Sequence, residues 1–569
     1  MLRYLRAALV AVIAIVPPSL ASAQNAPQSL ISVEELQAQL GQDNLVLLDA
    51  SPTPFYVAKH IPGAVSVSFT QAQSRSQGVN LSYGGGIDLM TDIDAAFPFQ
   101  DLPAPQMEKL FQDWGVNKKS QVVIYDQGGA MHATRLFFSF VYHGFPADRV
   151  RILNGGLSQW QAKNLPVNQE VAQAAKRGDF KVGALKSEIK TSVPEVLAAS
   201  GDPDSALVEA LSADWHFGEA LNYSRRGHIP YAIMIPAADF YNADKTFKSP
   251  EEIKRMLDHF GIRPDQTIYT HCGGGIAGSV AFFGIKYLAK HQKVKHFTES
   301  QLGWLDDSRE LPFWTYDAPY LLRDANWLQW WGGQRTRSLG VTQVSVVDVR
   351  SAEQYAEAHT PFALNVPAAE FKKNLKQPAA LAKTLGAAGV NPKHEAVVIS
   401  GEGISKDAAL VFVALESLGQ KKVSILTDSH DQWAASGFQL RDKPTVVAQK
   451  QLPFDLAVPP VEYSAKPRDG ILVTDPAYSQ GVYPKVYVAS GKTLPSVKLA
   501  GKVVHVPYTE LLTDDGKPKE AAAIWNTLAK AGVPRLAELI TVSDDAGEAA
   551  SNYVVLKLMG FPNVKTLVQ

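Results

Sequence analysis

The stretch "QTIYTHCGGGIAGSVAFFGIKYLAK" (residues 266–290) decides the fold. Its first six residues are β-branched, aromatic or polar, and read as a buried strand. Cys272 follows, then Gly273, Gly274 and Gly275, then an apolar run of helical length. A strand, a tight glycine loop and a helix in that order describe one step of a parallel α/β sheet. The same grammar occurs three more times. Gly115 leads into "QVVIYD" and "HATRLFFSFVYHGF", Gly389 into "EAVVIS" and "KDAALVFVALESLG", and Gly532 into "ELITVS" and "EAASNYVVLKLMGF"; Gly261 leads into the stretch quoted. Each glycine stands where a preceding helix would end.

Two further signals keep the same period. Upstream lie "LVLLDA" with "HIPGAVSVSF" from His60, "ALVEAL" with "HIPYAIMIP" from His228, "SVVDVR" with "HTPFALNVP" from His359, and the weaker "ILVTDP" with "LAGKVVHVP" from Leu499. Downstream, the first three copies carry "LNGGLSQW", "ESQLGWL" and "TDSHDQW". A repeat of this length is a domain repeat, and 569 residues fit several domains at about 100–200 residues each. The expected units are 25–170, 185–320, 335–448 and 458–569. The joint "RDANWLQWWGGQRTR" is too rich in tryptophan for a free linker. Trp327, Trp330 and Trp331 suggest an arm packed on a neighbouring domain, or a surface for a partner protein.

The pattern resembles the rhodanese family of sulfurtransferases. The marks are the strand end Asp348-Val349-Arg350, the turn His60–Ala64, and a strand running into a six-residue loop headed by a cysteine. The resemblance implies four tandem rhodanese-like domains, each a mainly parallel sheet flanked by helices. It also implies a first domain without chemistry and a second carrying the nucleophile, as in two-domain sulfurtransferases. Counting eleven residues from the glycine reaches Cys272 in the second unit, but Asp126, Ser400 and Ser543 in the others. None of these can carry sulfane sulfur, so the first, third and degenerate fourth units are expected to be inactive.

Cys272 is the only cysteine in the chain. An internal disulfide is therefore excluded, and the thiol is a buried hydrophobe, a partner in an intermolecular pair or a reactive group. Its loop, Gly273, Gly274, Gly275, Ile276 and Ala277, sits at the carboxyl edge of a sheet and before a helix, where N–H groups can converge on an anion. Such settings lower a thiol pKa from about 8.5 to about 3.5–7.5. A Cys272 persulfide then carries sulfur from a small anionic donor, thiosulfate or 3-mercaptopyruvate, to a thiol or cyanide. The Cys-Gly-x-Gly start resembles mercaptopyruvate enzymes. The arginines those enzymes carry after the upstream strand are missing from the stretch Glu209–Trp215, which leaves the donor open. Candidate substrate-binding residues are Arg225, Arg226, His271 and Trp215, with Trp304 as a second aromatic wall and Glu209 as a brace for the loop. The alternative reading is a non-catalytic sulfur carrier or binding scaffold. A phosphatase loop would end in an arginine, and Gly278 stands in its place.

Other classes find little support. Net charge is −1, so nothing calls for nucleic acid. Histidines show no zinc spacing, no cofactor other than the covalent persulfide is expected, and Gly84-Gly85-Gly86 lacks the Lys-Ser/Thr of a phosphate cradle. Arg3 and Arg6, the apolar run Ala7–Val16 and Ala21-Ser22-Ala23 read as a signal peptide of residues 1–23. A periplasmic protein with no membrane span after cleavage, and with an exported redox protein as a conceivable partner, is the expectation.

Overall fold

The computed structural model describes residues 28–67, 92, 95–97, 100–174, 176–221, 224–450 and 456–568. The signal-peptide segment and Gly84–Gly86 lie outside the described residues. Within them are four five-stranded sheets, and every pairing between their strands is parallel. Counted along the chain within each unit, the strands run in the order 1-5-4-2-3 in all four sheets. The strand before each of the four equivalent loops (Gln121–Tyr125, Thr267–His271, Glu395–Ile399, Glu538–Val542) is central, and nearly all its residues are buried. A parallel strand covered on both faces needs this continuous apolar character.

The repeat glycines do what their placement suggests. Gly115, Gly261, Gly389 and Gly532 have φ of +83°, +74°, +84° and +78°. That is the left-handed turn that ends a helix and that other residues adopt at a cost. Helix starts are equally marked. Ser32, Ser249, Ser351 and Ser429 each cap a helix, with a reciprocal bond from the Glu or Gln three residues on, each such cap worth about 1 kcal/mol.

The third unit begins earlier than the sequence suggests. Leu322–Arg323 is the first strand of its sheet, and the supposed joint continues into the helix Ala325–Trp331. Ala325 and Leu328 anchor that helix in the unit's own core, and Arg323 stacks on Trp327 at 3.9 Å. Trp330 and Trp331 stay exposed. The apolar residues of the segment thus serve their own sheet, not a neighbouring domain.

The units form two tandems. The helix after the first loop, His132–Tyr142, packs on the helix Gly278–Phe283, and one core runs through units one and two. Lys406–Ser417 packs on Ala546–Leu558 in the same way, joining units three and four. In each tandem a turn of the second unit reaches the loop of the first. Tyr241 donates to the Ala130 carbonyl (2.6 Å), and Ile404 N–H donates to the Gly516 carbonyl (2.8 Å). Lys245 and Gly516, equivalent in these turns, have φ of +70° and +74°. Phe217, Met234 and Ala318 of the second unit belong to the core of the second tandem, so units two and four are also packed together. No helix among the described residues is long and apolar enough to cross a membrane.

Candidate active site

Cys272 directly follows the strand Thr267–His271 and is 3% exposed. Its Sγ accepts a hydrogen bond from Gly275 N–H at 3.1 Å, so the loop curls back on its own sulfur. Gly275 has φ +90°, and a Cβ there would lie 2.3 Å from the Thr298 carbonyl oxygen. Only glycine fits. Among the described residues, the N–H groups of Gly273, Gly274, Ile276 and Ala277 have no hydrogen-bond partner. Donors left open in a loop headed by a sulfur can form a nest for negative charge, while Ser279 and Val280 at the start of the next helix donate to the Ile276 and Ala277 carbonyls. The loop is held from behind. Gln301 N–H donates to the Cys272 carbonyl (3.1 Å), Leu302 N–H to the Gly273 carbonyl (3.0 Å), and the His296 imidazole bonds the Gly275 carbonyl (2.8 Å). Burial pushes His296 down to about 4, so it serves as a neutral brace.

The other sequence candidates lie elsewhere. Side chains alternate along a strand, and Ile268 and Cys272 face the core shared with unit one while Tyr269 faces the opposite core. His271 shares the Tyr269 side, within electrostatic reach of His216, and burial pushes it down to about 3. It is a neutral core histidine on the wrong face to activate the thiol. Arg226 donates to the carbonyls of Gly218 and Glu219, and Arg225 stacks on Phe313 at 5.7 Å. Both arginines make structural contacts in their own region. Trp215 is half-buried on the short helix Ala213–His216. Trp304 is fully buried and donates to the Pro312 carbonyl, which makes it core.

Residues 32–163 and 336–436 match the rhodanese-like domain family, the first segment ending beyond "LNGGLSQW" and the second containing Asp348-Val349-Arg350. Two segments of the chain are thus rhodanese-like. It is similar to the sulfur carrier protein TtuD of Thermus thermophilus (26% identical, covering 49% of this chain and 94% of the relative). It is also similar to the thiosulfate sulfurtransferase of Azotobacter vinelandii (27%, 48% and 93%) and to a probable 3-mercaptopyruvate sulfurtransferase of Pseudomonas aeruginosa (28%, 49% and 96%). Each relative accounts for about half of the present chain.

The four equivalent loops differ in what fills them. In unit one the Asp126 carboxylate occupies its own loop, accepting from Gly128 N–H (2.8 Å) and Ala133 N–H (2.9 Å). That loop is therefore a demonstrated anion nest, satisfied from within. Asp126→Ala is expected to cost about 1–3 kcal/mol of stability by stranding both donors, read by denaturant unfolding, while leaving Cys272 chemistry intact. Ser400 donates to the Gly403 carbonyl and Ser543 to Glu548. Only the second unit presents a thiol to the nest. The phosphatase alternative meets a steric bar: a Cβ at Gly278 would lie 2.9 Å from both the His271 carbonyl carbon and His296 Cε1. No arginine fits there.

Ser300 and Gln100 were invisible in the sequence. Ser300 has φ +53° and matches Gly156 of unit one, φ +54°: the next residue, Gln301 or Leu157, bonds the carbonyl of Cys272 or Asp126. A serine in this left-handed position costs about 1–2 kcal/mol. Its hydroxyl accepts from Cys272 N–H (3.1 Å) and lies 4.0 Å from Sγ. Gln100 of unit one pairs with Thr298 through two bonds, 3.1 and 3.0 Å, and so props the wall that Gly275 abuts. The signal for Ser300 was the break in the glycine pair of "LNGGLSQW" where unit two has "ESQLGWL".

Glu209 also has a partner set the sequence did not reveal. Glu209, His216 and His228 converge with ligand atoms within 4.8 Å, a cluster no spacing rule foresaw. The geometry is not that of a metal cage. The two imidazoles stack in parallel, 3.7 Å apart and 1° from coplanar orientation, so their lone pairs run side by side. Both His216 nitrogens already face carboxylates, Glu209 at Nδ1 and Asp317 at Nε2. Burial would lower His216, but the Asp317 and Glu209 carboxylates overcome it and raise it to about 9. His216 is an imidazolium held between two anions.

Proposed function

We propose that the protein is a sulfurtransferase working through a persulfide on Cys272. The observation that carries this reading is the sulfur itself, 3.1 Å from the Gly275 N–H, in a loop whose four other N–H groups have no partner among the described residues. The Cys272 thiolate attacks the sulfane sulfur of a small anionic donor. With thiosulfate, the S–S bond to the sulfonate breaks and sulfite leaves with its electron pair. With 3-mercaptopyruvate, the C–S bond breaks and the enolate of pyruvate leaves, to be protonated. The persulfide's outer sulfur, negatively charged, takes up the free N–H groups. A thiolate or cyanide then attacks that outer sulfur and Cys272 departs as thiolate. No external oxidant or reductant is needed. The named relatives of the chain, thiosulfate and 3-mercaptopyruvate enzymes, support both donors equally. The proposed setting is the periplasm.

Intact-protein mass spectrometry after incubation with thiosulfate, 3-mercaptopyruvate or polysulfide tests the reading. A gain of one sulfur atom, lost in Cys272→Ser and discharged by cyanide, is expected; no adduct with any donor overturns it. The name of the Thermus relative favours a second reading, a sulfur carrier that is loaded once and discharged to a protein partner. Multiple turnovers with free donor and cyanide distinguish the enzyme from the carrier.

A further inference from the structure

The stacking residue beside the turn histidine differs in the second unit. In unit one Tyr56 stacks on His60, and in unit three Tyr355 stacks on His359, both at 3.9 Å. Each tyrosine hydroxyl donates to a nearby backbone carbonyl, that of Ala64 or Ala363. Each turn histidine bonds through Nδ1 to the tyrosine's carbonyl (2.8 Å). In unit two His228 bonds to the carbonyl of His216 in the same manner (2.8 Å), so His216 holds the tyrosine's place. The strand-end acid differs as well. Asp49 and Asp348 are held locally, by Ser51 N–H and by Arg350. Glu209, one methylene longer, reaches instead to His216 and to the Gln301 side chain.

These contacts form one line from the sulfur loop to the fourth unit. Gln301 carries the Cys272 carbonyl on its backbone N–H and Glu209 on its amide. Glu209 pairs with His216, His216 with Asp317, and Asp317 with Arg535 of unit four (3.8 Å). Arg535 is clamped between Phe260 of unit two and Phe561 of unit four, at 5.2 and 5.6 Å. The fourth unit also makes room for Asp317: a Cβ at Gly560 would lie 1.7 Å from Oδ2. Two buried carboxylates and two buried cations thus balance, half of one pair supplied by a unit with no chemistry of its own. A pair in such a place is costly to break from either side.

We propose that His216 is a positioning residue for the Cys272 loop, acting through Glu209 and Gln301, and that Arg535 places the loop under the control of the fourth unit by fixing Asp317. The proposal rests on the sulfurtransferase reading for its kinetic effect, not for the coupling itself. The groups facing His216 are Glu209, Asp317 and His228, with His271 within electrostatic reach and Arg535 and Asp239 beyond Asp317. His216 is raised to about 9, so its charge is complete at neutral pH and lost as pH rises through about 9.

The test measures sulfur uptake from thiosulfate by mass spectrometry, and alkylation of the sole thiol by iodoacetamide, in the full chain. The variants are His216→Tyr, Arg535→Met, their double, and Gln301→Met, which severs the line while keeping all four charged side chains. At pH 7.5 each is expected to take up sulfur about 10-fold more slowly and to alkylate about 10-fold faster, and the double variant should go no further than its components. The wild type should lose uptake above about pH 9, a limb absent from His216→Tyr. Additive losses, an unchanged pH profile in His216→Tyr, or alkylation rates equal to wild type overturn the proposal. If no donor loads the wild type, the sulfurtransferase reading fails alone, and the alkylation rates still decide the coupling.

Discussion

Gly275→Ala is expected to lower the rate of sulfur transfer about 100-fold or more, with the other three units still folded. Two effects act together. The left-handed backbone at φ +90° costs an alanine about 1–2 kcal/mol. The methyl group would also sit 2.3 Å from the Thr298 oxygen and 2.9 Å from its Cα, and both are backbone atoms pinned by Gln100. The wall cannot yield cheaply, so the loop must. Gly275 N–H then leaves the sulfur it now meets at 3.1 Å, and a displacement of about 1 Å at a reacting centre costs about 100-fold. Single-turnover sulfur uptake followed by mass spectrometry reads the effect directly. A rate within threefold of wild type would sink the role given to this N–H.

The second large effect lies at the seam between units one and two. Arg135 is completely buried, and Asp101, 2% exposed, bonds it at 2.8 Å while also taking Lys190 of unit two at 3.0 Å. Asp101→Asn removes the carboxylate that balances the guanidinium, which keeps its bond to Ser139 (2.7 Å), and is expected to cost about 3–5 kcal/mol, read from denaturant midpoints of the first tandem. The pH dependence has a definite sign. Burial alone would raise the Asp101 carboxyl, but Arg135 and Lys190 outweigh it and hold the group well below the usual carboxylate range. Its contribution is complete above the unfolded value of about 4 and fades as pH falls toward the folded one. Acid titration should therefore destabilise the wild type more than Asp101→Asn between about pH 5 and 3. Parallel acid curves for the two proteins would show that Asp101 is not the group responsible.

The architecture was legible because it is written in short-range terms. The β-branched runs and the helix-ending glycines each act within a few residues, and the sheets follow them unit by unit. Cys272 and its glycines were legible for the same reason. Distance hid the rest. Gln100 meets Thr298 across 198 residues, and Arg535 approaches Asp317 from another unit. The histidine in the tyrosine's place was disguised by spacing: Tyr56 and His60 stand four apart, His216 and His228 twelve. The arginines at 225 and 226 drew notice as nearby positive charges, and the partners the structure gives them, the Gly218 and Glu219 carbonyls and Phe313, could not be read from the sequence. The tryptophan segment misled because its strand, Leu322–Arg323, is only two residues long.

The turn-to-loop contact has a direction, and direction has a consequence for valency. In both tandems the later unit stoppers the earlier one, through Tyr241 onto Ala130 and Gly516 onto Ile404. A head-to-tail contact between like parts consumes one surface of each kind and leaves an unmatched end. Copies that began equal cannot remain equal once fused in that order. The loops at Asp126 and Ser400 are spent as sockets, and grafting a cysteine into either would place the sulfur beneath a plug. The thiol stands on a trailing unit, at a loop that this contact does not consume. Polarity of assembly thus sets the leading loops apart from the Cys272 loop, in addition to the missing cysteine.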